Sequence, residues 1–128
     1  TGVQTCALPI FHPADGIRIL ATRIRGRGLR KTRYHVWMAN LGPSEALLKK
    51  NDQITWSEFK RRYKQEIRDS ESFDKKNRTI KNHGQKFTLR LLQHMAKRGT
   101  ITLLCHCDED QSECHRHVLK EILLKKIK

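Results

Sequence analysis

The chain has 128 residues, with 27 lysines and arginines against 13 aspartates and glutamates, a formal net charge of +14. That length suits one domain with a single modest core. No stretch approaches the roughly 18 to 20 apolar residues of a membrane span, and no basic region followed by a long apolar run marks a signal peptide.

Residues 1–10, TGVQTCALPI, carry no charge in a chain where 31% of residues are charged. Over their whole length they resemble one reading frame of a sequencing-library adaptor. They are set apart as a non-native segment from residues 11–128, the expected single domain, whose own opening strand would be lost with them. Without Cys6, three clustered cysteines remain. They make a poor disulfide framework and suit a reducing, cytoplasmic compartment.

Ile17 to Arg23 is a short apolar run that predicts a buried strand, ended by Gly26 and Gly28. Trp37 to Leu41 predicts a turn or helical piece before Pro43. Ser44 to Lys50 predicts a short helix with Ser44 as N-cap. In Thr55 to Arg68, Trp56, Phe59, Tyr63 and Ile67 recur at spacings of three and four, one face of an amphipathic helix. Residues 69–85 are polar and read as a loop. Phe87 to Arg98 predicts a helix with Leu91, Leu92 and Met95 inward and Gly99 at its C-cap. Thr100 to Cys105 predicts a second strand, and Glu113 to Lys126 a last helix with Val118, Leu119, Ile122 and Leu123 inward. Strands separated by helices imply an α/β fold, a small parallel or mixed sheet flanked by helices. In such sheets ligands bind beyond the C-terminal strand ends.

One segment, CHCDEDQSECHRH, is chemically loaded, with Cys105, His106, Cys107, Cys114, His115 and His117 in thirteen residues. Three readings stay open. In the first, Ser112 or Asp110 caps the last helix and Cys114 lies in its first turn. There the helix dipole and Arg116 favour a thiolate, with His115 or His117 moving protons. In the second, Cys105, Cys107, Cys114 and His117 supply four ligands suited to tetrahedral zinc, although the Cys-x-Cys gap is tighter than usual. In the third, the cysteines are small buried hydrophobes and the histidines are solvated. A phosphatase loop is excluded, because the sixth residue after Cys105 is Gln111 and after Cys107 is Glu113.

The second constellation is Thr22 to Lys31, TRIRGRGLRK. Arg23, Arg25 and Arg27 alternate past a strand while Gly26 and Gly28 allow a tight turn, an arrangement suited to phosphate or carboxylate. No Gly-Lys-Ser/Thr follows, so it is not a nucleotide P-loop. Its bland alternative is a solvated basic loop. The net charge likewise favours a polyanionic partner, nucleic acid or nucleotide, against a merely basic surface. Trp37, Trp56, Phe59 and Tyr63 can stack on bases, but their helical spacing favours the core.

Asp15-Gly16-Ile17-Arg18-Ile19-Leu20, Thr22-Arg23, Arg27-Gly28, Trp37 and Leu41-Gly42-Pro43-Ser44 stand in the order found in a known family. Trp56, Glu58-Phe59, Tyr63 and Glu66 follow, then Ile101 to Leu104, Cys105-x-Cys107 and Cys114-His115-Arg116. On these residues the chain resembles the YeaO-like family, domain of unknown function 488, from Phe11 to Leu124. It departs where the family has an aromatic and a proline before Arg27-Gly28, here Arg25 and Gly26. The resemblance implies a compact α/β domain and no established activity. The leading expectation is a Cys/His enzyme acting on an anionic substrate, nucleic acid or nucleotide. Cys114 would be the nucleophile, His115 the proton carrier and Cys105 a further catalytic thiol. Arg23, Arg27, Gly28 and Arg116 would bind the anion. The alternative is a non-catalytic nucleic-acid-binding module, zinc-stabilised through the Cys105–His117 cluster.

Overall fold

The computed structural model describes residues 2–7, 12–23, 33–68, 86–107 and 110–125. Its strands are β1 Gly2–Ala7, β2 Ile17–Leu20, β3 Val36–Trp37 and β4 Thr100–Cys105, and its α-helices are α1 Glu45–Lys49, α2 Trp56–Arg68, α3 Lys86–Arg98 and α4 His115–Leu124. The strands form one sheet in the order β1-β4-β2-β3, with every pairing parallel. This is the single α/β domain the sequence implies.

β4 lies between two neighbours, and Ile101 through Cys105 are all buried. A strand covered on both faces has no polar side to alternate with, which accounts for the run ITLLC. Its register sets Leu103 beside Ile19, and Leu104 beside Leu20 and Cys6. Successive side chains point to opposite faces. Ile19, Ile101 and Leu103 therefore join the large core with the inward faces of the helices, among them Tyr63, Leu92 and Leu119. Cys6, Leu20 and Leu104 make a small separate cluster with Tyr34.

The segment set aside on sequence grounds enters the sheet, since Gly2–Ala7 pairs with all of β4 along one edge. β2 ends at Leu20, not Arg23, although the Ala21 N–H still reaches the Leu104 carbonyl at 3.0 Å. Val36–Trp37, expected as part of a turn, pairs with β2 before a 3₁₀ turn at Ala39–Leu41. A two-residue strand exists only because a neighbour supplies its hydrogen bonds, so no local periodicity announces it.

Ser44 caps α1 as expected, accepting the Leu47 N–H at 3.2 Å. On α2, Phe59, Tyr63 and Ile67 are buried, and half-buried Trp56 stacks on Phe59 with ring centroids 5.4 Å apart. These aromatics serve the core. On α3 the buried set is Leu89, Leu92 and Ala96, whereas Leu91 is 54% exposed. The inward stripe is therefore displaced from the one expected. α4 starts at His115, with Cys114 as an extended N-cap residue at φ −135°, not at Glu113 with a cap from Asp110 or Ser112. The loop read at 69–85 lies outside the described residues.

β2 is fixed by the motif that precedes it. Gly16 has φ +64°, and a Cβ there would stand 2.1 Å from the Thr100 carbonyl oxygen. Only glycine fits both the backbone angle and the approach to β4. The turn brings Asp15 against Arg18 in a buried ion pair whose members are 6% and 1% exposed. Burying charge is unfavourable unless the remaining polar atoms are also bonded. Here Arg18 Nε donates to the Arg33 carbonyl at 3.0 Å, and the His12 N–H reaches the Asp15 carboxylate at 3.1 Å.

Candidate functional site

The parallel arrangement brings the C-terminal ends of β2 and β4 to one rim. Cys105 is the last residue of β4, Cys107 lies just beyond it, and Cys114 stands at the start of α4. Cys105 and Cys114 are buried and Cys107 is half-buried. The Cys105 and Cys107 sulfurs are 3.6 Å apart, and all three sulfurs lie within 4.8 Å of one another.

His115 organises this cluster. Its Nε2 meets the Ala21 carbonyl oxygen at 2.5 Å, and its Nδ1 lies 4.0 Å from both Cys105 Sγ and Cys114 Sγ. A carbonyl can only accept, so the ring carries a proton on Nε2 and turns Nδ1 toward the sulfurs. Tyr63 packs edge-on against the imidazole, with centroids 5.6 Å apart, and its hydroxyl donates to the Leu41 carbonyl at 2.5 Å. The ring is held by α4, the end of β2 and α2 together.

The thiols are unequal. A hydrogen bond from Cys114 lowers the Cys105 thiol to about 3, against burial that raises it and with help from His115. The same hydrogen bond, burial and the Cys105 charge push Cys114 far up. Burial first, then the Cys105 charge, raises Cys107, with Arg116 opposing. One thiolate, on Cys105, thus sits under the Cys114 S–H. Burial, with the Cys105 charge, also raises the Tyr63 hydroxyl well above its ordinary value.

Several expectations shift with this geometry. Cys114, expected in the first turn of the last helix, is its N-cap residue, with the sulfur beside Cys105. His117, expected as a fourth metal ligand, directs Nε2 to the Gln111 carbonyl at 2.9 Å and is not in the sulfur cluster. Side chains two apart on a helix project about 200° apart, so His115 and His117 cannot face the same way. Arg116 is buried and donates from Nη1 to the Cys107 carbonyl at 3.2 Å. Arg23 donates to the Gly42 carbonyl at 2.9 Å and to the Pro43 carbonyl at 3.1 Å. Arg25, Gly26, Arg27 and Gly28 lie outside the described residues.

Sequence reasoning gave Tyr63, Gly42 and the Ala21 carbonyl no part in the cysteine–histidine cluster. A Cβ on Gly42 would lie 2.3 Å from the Arg23 nitrogen, so glycine lets the 41–44 turn close onto the end of β2. Glu66 then receives the Ser44 N–H at 2.9 Å and the Ser44 hydroxyl, fastening α2 to the same turn. The available signal was the cluster of motif residues at 41–44, 63 and 66.

The fold and site define a basic, parallel α/β domain whose strand-end thiols share one oriented histidine. The chain belongs to the DUF488-N3a family, described as the active DUF488-N3 subclade, whose model matches residues 9–127. The YeaO-like resemblance drawn from the motifs is thereby borne out. No curated protein and no solved structure matches the chain. Among the described residues, no helix is long and apolar enough to cross a membrane.

Proposed function

We propose that this domain is a cytoplasmic thiol enzyme acting on an anionic substrate, a nucleic acid or nucleotide, with Cys105 as nucleophile and His115 as proton carrier. The orientation of His115 carries the reading. With Nε2–H bonded to Ala21, Nδ1 can take the Cys105 proton and return it to a leaving group. This is a nucleophile, a base and a group that orients the base, with a main-chain carbonyl in the third place. Cys114 S–H steadies the thiolate, and Arg116 adds positive charge beside it. Arg23 and Arg27, with Gly28, are the residues of this reading that attract the anion. The net charge of +14 and the family's description as active support it.

The test compares the wild type with Cys105→Ser and His115→Ala on single-stranded DNA, RNA and nucleoside triphosphates, following products by mass spectrometry. Turnover abolished in Cys105→Ser, with polyanion binding retained, is the expected result. Turnover undiminished in that variant defeats the assignment. Binding should weaken steeply with added salt, as phosphate contacts require.

A second reading is favoured by the sulfur cluster itself, a zinc-stabilised nucleic-acid-binding module held through Cys105, Cys107 and Cys114. Tetrahedral Zn–S bonds of about 2.3 Å separate sulfurs by about 3.8 Å, close to the 3.6 Å between Cys105 and Cys107. A ligating histidine usually donates its other N–H to a carbonyl or carboxylate, which makes His115 a better fourth ligand than His117. Metal analysis of protein purified without a histidine tag separates the readings. Stoichiometric zinc, with unfolding on chelation, selects the second.

A further inference from the structure

We propose that Cys105 and Cys107 form an oxidisable pair, a disulfide site that closes when a hydroperoxide reaches Cys107. Three observations carry it. The sulfurs are already 3.6 Å apart, so a bond of about 2.05 Å needs an approach of only about 1.5 Å. Cys107 is the half-buried member of the cluster, while Cys105 and Cys114 are buried, so a small oxidant meets Cys107 first. Cys107 also sits in the bend after β4, outside the ladder of sheet hydrogen bonds, whereas Cys114 is fixed at the start of α4. The bend can tighten without breaking a strand or a helix.

The chemistry balances with the peroxide as two-electron oxidant. The Cys107 sulfur passes its proton to the Cys105 thiolate it faces and attacks the O–O bond, becoming a sulfenic acid, while the departing hydroxide takes a proton from solvent and leaves as one water. The Cys105 sulfur then attacks the Cys107 sulfur, the S–S bond forms, the S–O bond breaks, and the hydroxyl leaves as a second water with the Cys105 proton. Two thiols and one hydrogen peroxide give one disulfide and two waters. The product removes the Cys105 sulfur from use as a nucleophile or as a metal ligand, so oxidation would silence either function. The pair itself stands on distance and exposure and needs neither.

The test uses the full chain, reduced and dialysed against a chelator, then treated with stoichiometric hydrogen peroxide. The remaining thiols are alkylated in denaturant, and the protein is cleaved after glutamate, which separates Cys107 from Cys114. The expected product is lighter by about 2 Da, with Cys114 alkylated, Cys105 and Cys107 unalkylated in one peptide, and full reversal by dithiothreitol. Cys107→Ser should lower disulfide yield at least about tenfold, while Cys114→Ser should leave it intact. A crosslink reaching Cys114, an unchanged yield in Cys107→Ser, or a gain of oxygen in place of the 2 Da loss would each overturn the proposal. The readout is mass, so its failure is distinct from a failure to find turnover.

Discussion

His115 on α4 donates its Nε2 proton to the carbonyl of Ala21, the residue that follows β2. The bond joins two chain segments far apart in sequence, fixes the tautomer of the ring and aims Nδ1 between Cys105 and Cys114. The last helix is thereby tied to the same rim on which β4 ends.

Removing that ring should be felt in stability as well as in reactivity. His115→Ala leaves the Ala21 carbonyl buried without its donor, a loss of about 1–3 kcal/mol. Urea unfolding measures it, and a change within error would mean the bond does not tie α4 to β2.

The thiols should give stability an uncommon dependence on pH. Cys105 is lowered on folding, so its contribution is fully present above its unfolded value and is lost as pH falls toward about 3. Cys114 and Cys107 are raised, so theirs is present below the unfolded value and is lost as pH rises beyond it. Urea midpoints should therefore climb from about pH 5 to a maximum near the ordinary thiol value of about 8.5 and then decline. Ultraviolet absorbance should show one thiolate at neutral pH that vanishes in Cys105→Ser.

The buried ion pair offers a sharper structural test. Asp15→Asn leaves the Arg18 guanidinium buried without its countercharge, which costs about 3–5 kcal/mol. Chemical denaturation of the variant checks the loss. An exposed pair would lose less than about 1 kcal/mol.

Gly42→Ala places a methyl group 2.3 Å from the Arg23 nitrogen and should cost more than about 1 kcal/mol by forcing the 41–44 turn from the end of β2. The Arg23 bonds to Gly42 and Pro43 would open with it. Thermal unfolding together with hydrogen exchange at Ser44 and Leu47 reads both effects.

Much of the architecture was legible from local pattern. Phe59, Tyr63 and Ile67 repeat at the helical period, and Val118, Leu119, Ile122 and Leu123 do likewise, because one buried stripe per helix is a one-dimensional signal. The apolar run of β4 reads directly as a strand covered on both sides. The stretch from Cys105 to His117 announced itself by composition. β3 did not, since its two residues owe their conformation to β2, and neither did the role of Gly42, which depends on what packs against it.

By itself, the sequence settled the α/β class, the order of the main elements and the place of the cysteine–histidine segment, all of which follow from spacing along the chain. Tertiary structure alone decided that Cys105, Cys107 and Cys114 gather within 4.8 Å of one another, that His115 faces the sulfurs while His117 turns to Gln111, and that Arg23 is bound to main-chain carbonyls. The physical reason is that protonation and orientation depend on neighbours in space. The Ala21 carbonyl and Tyr63 lie far from Cys105 along the chain, and only the packed sheet and helices bring them to one rim.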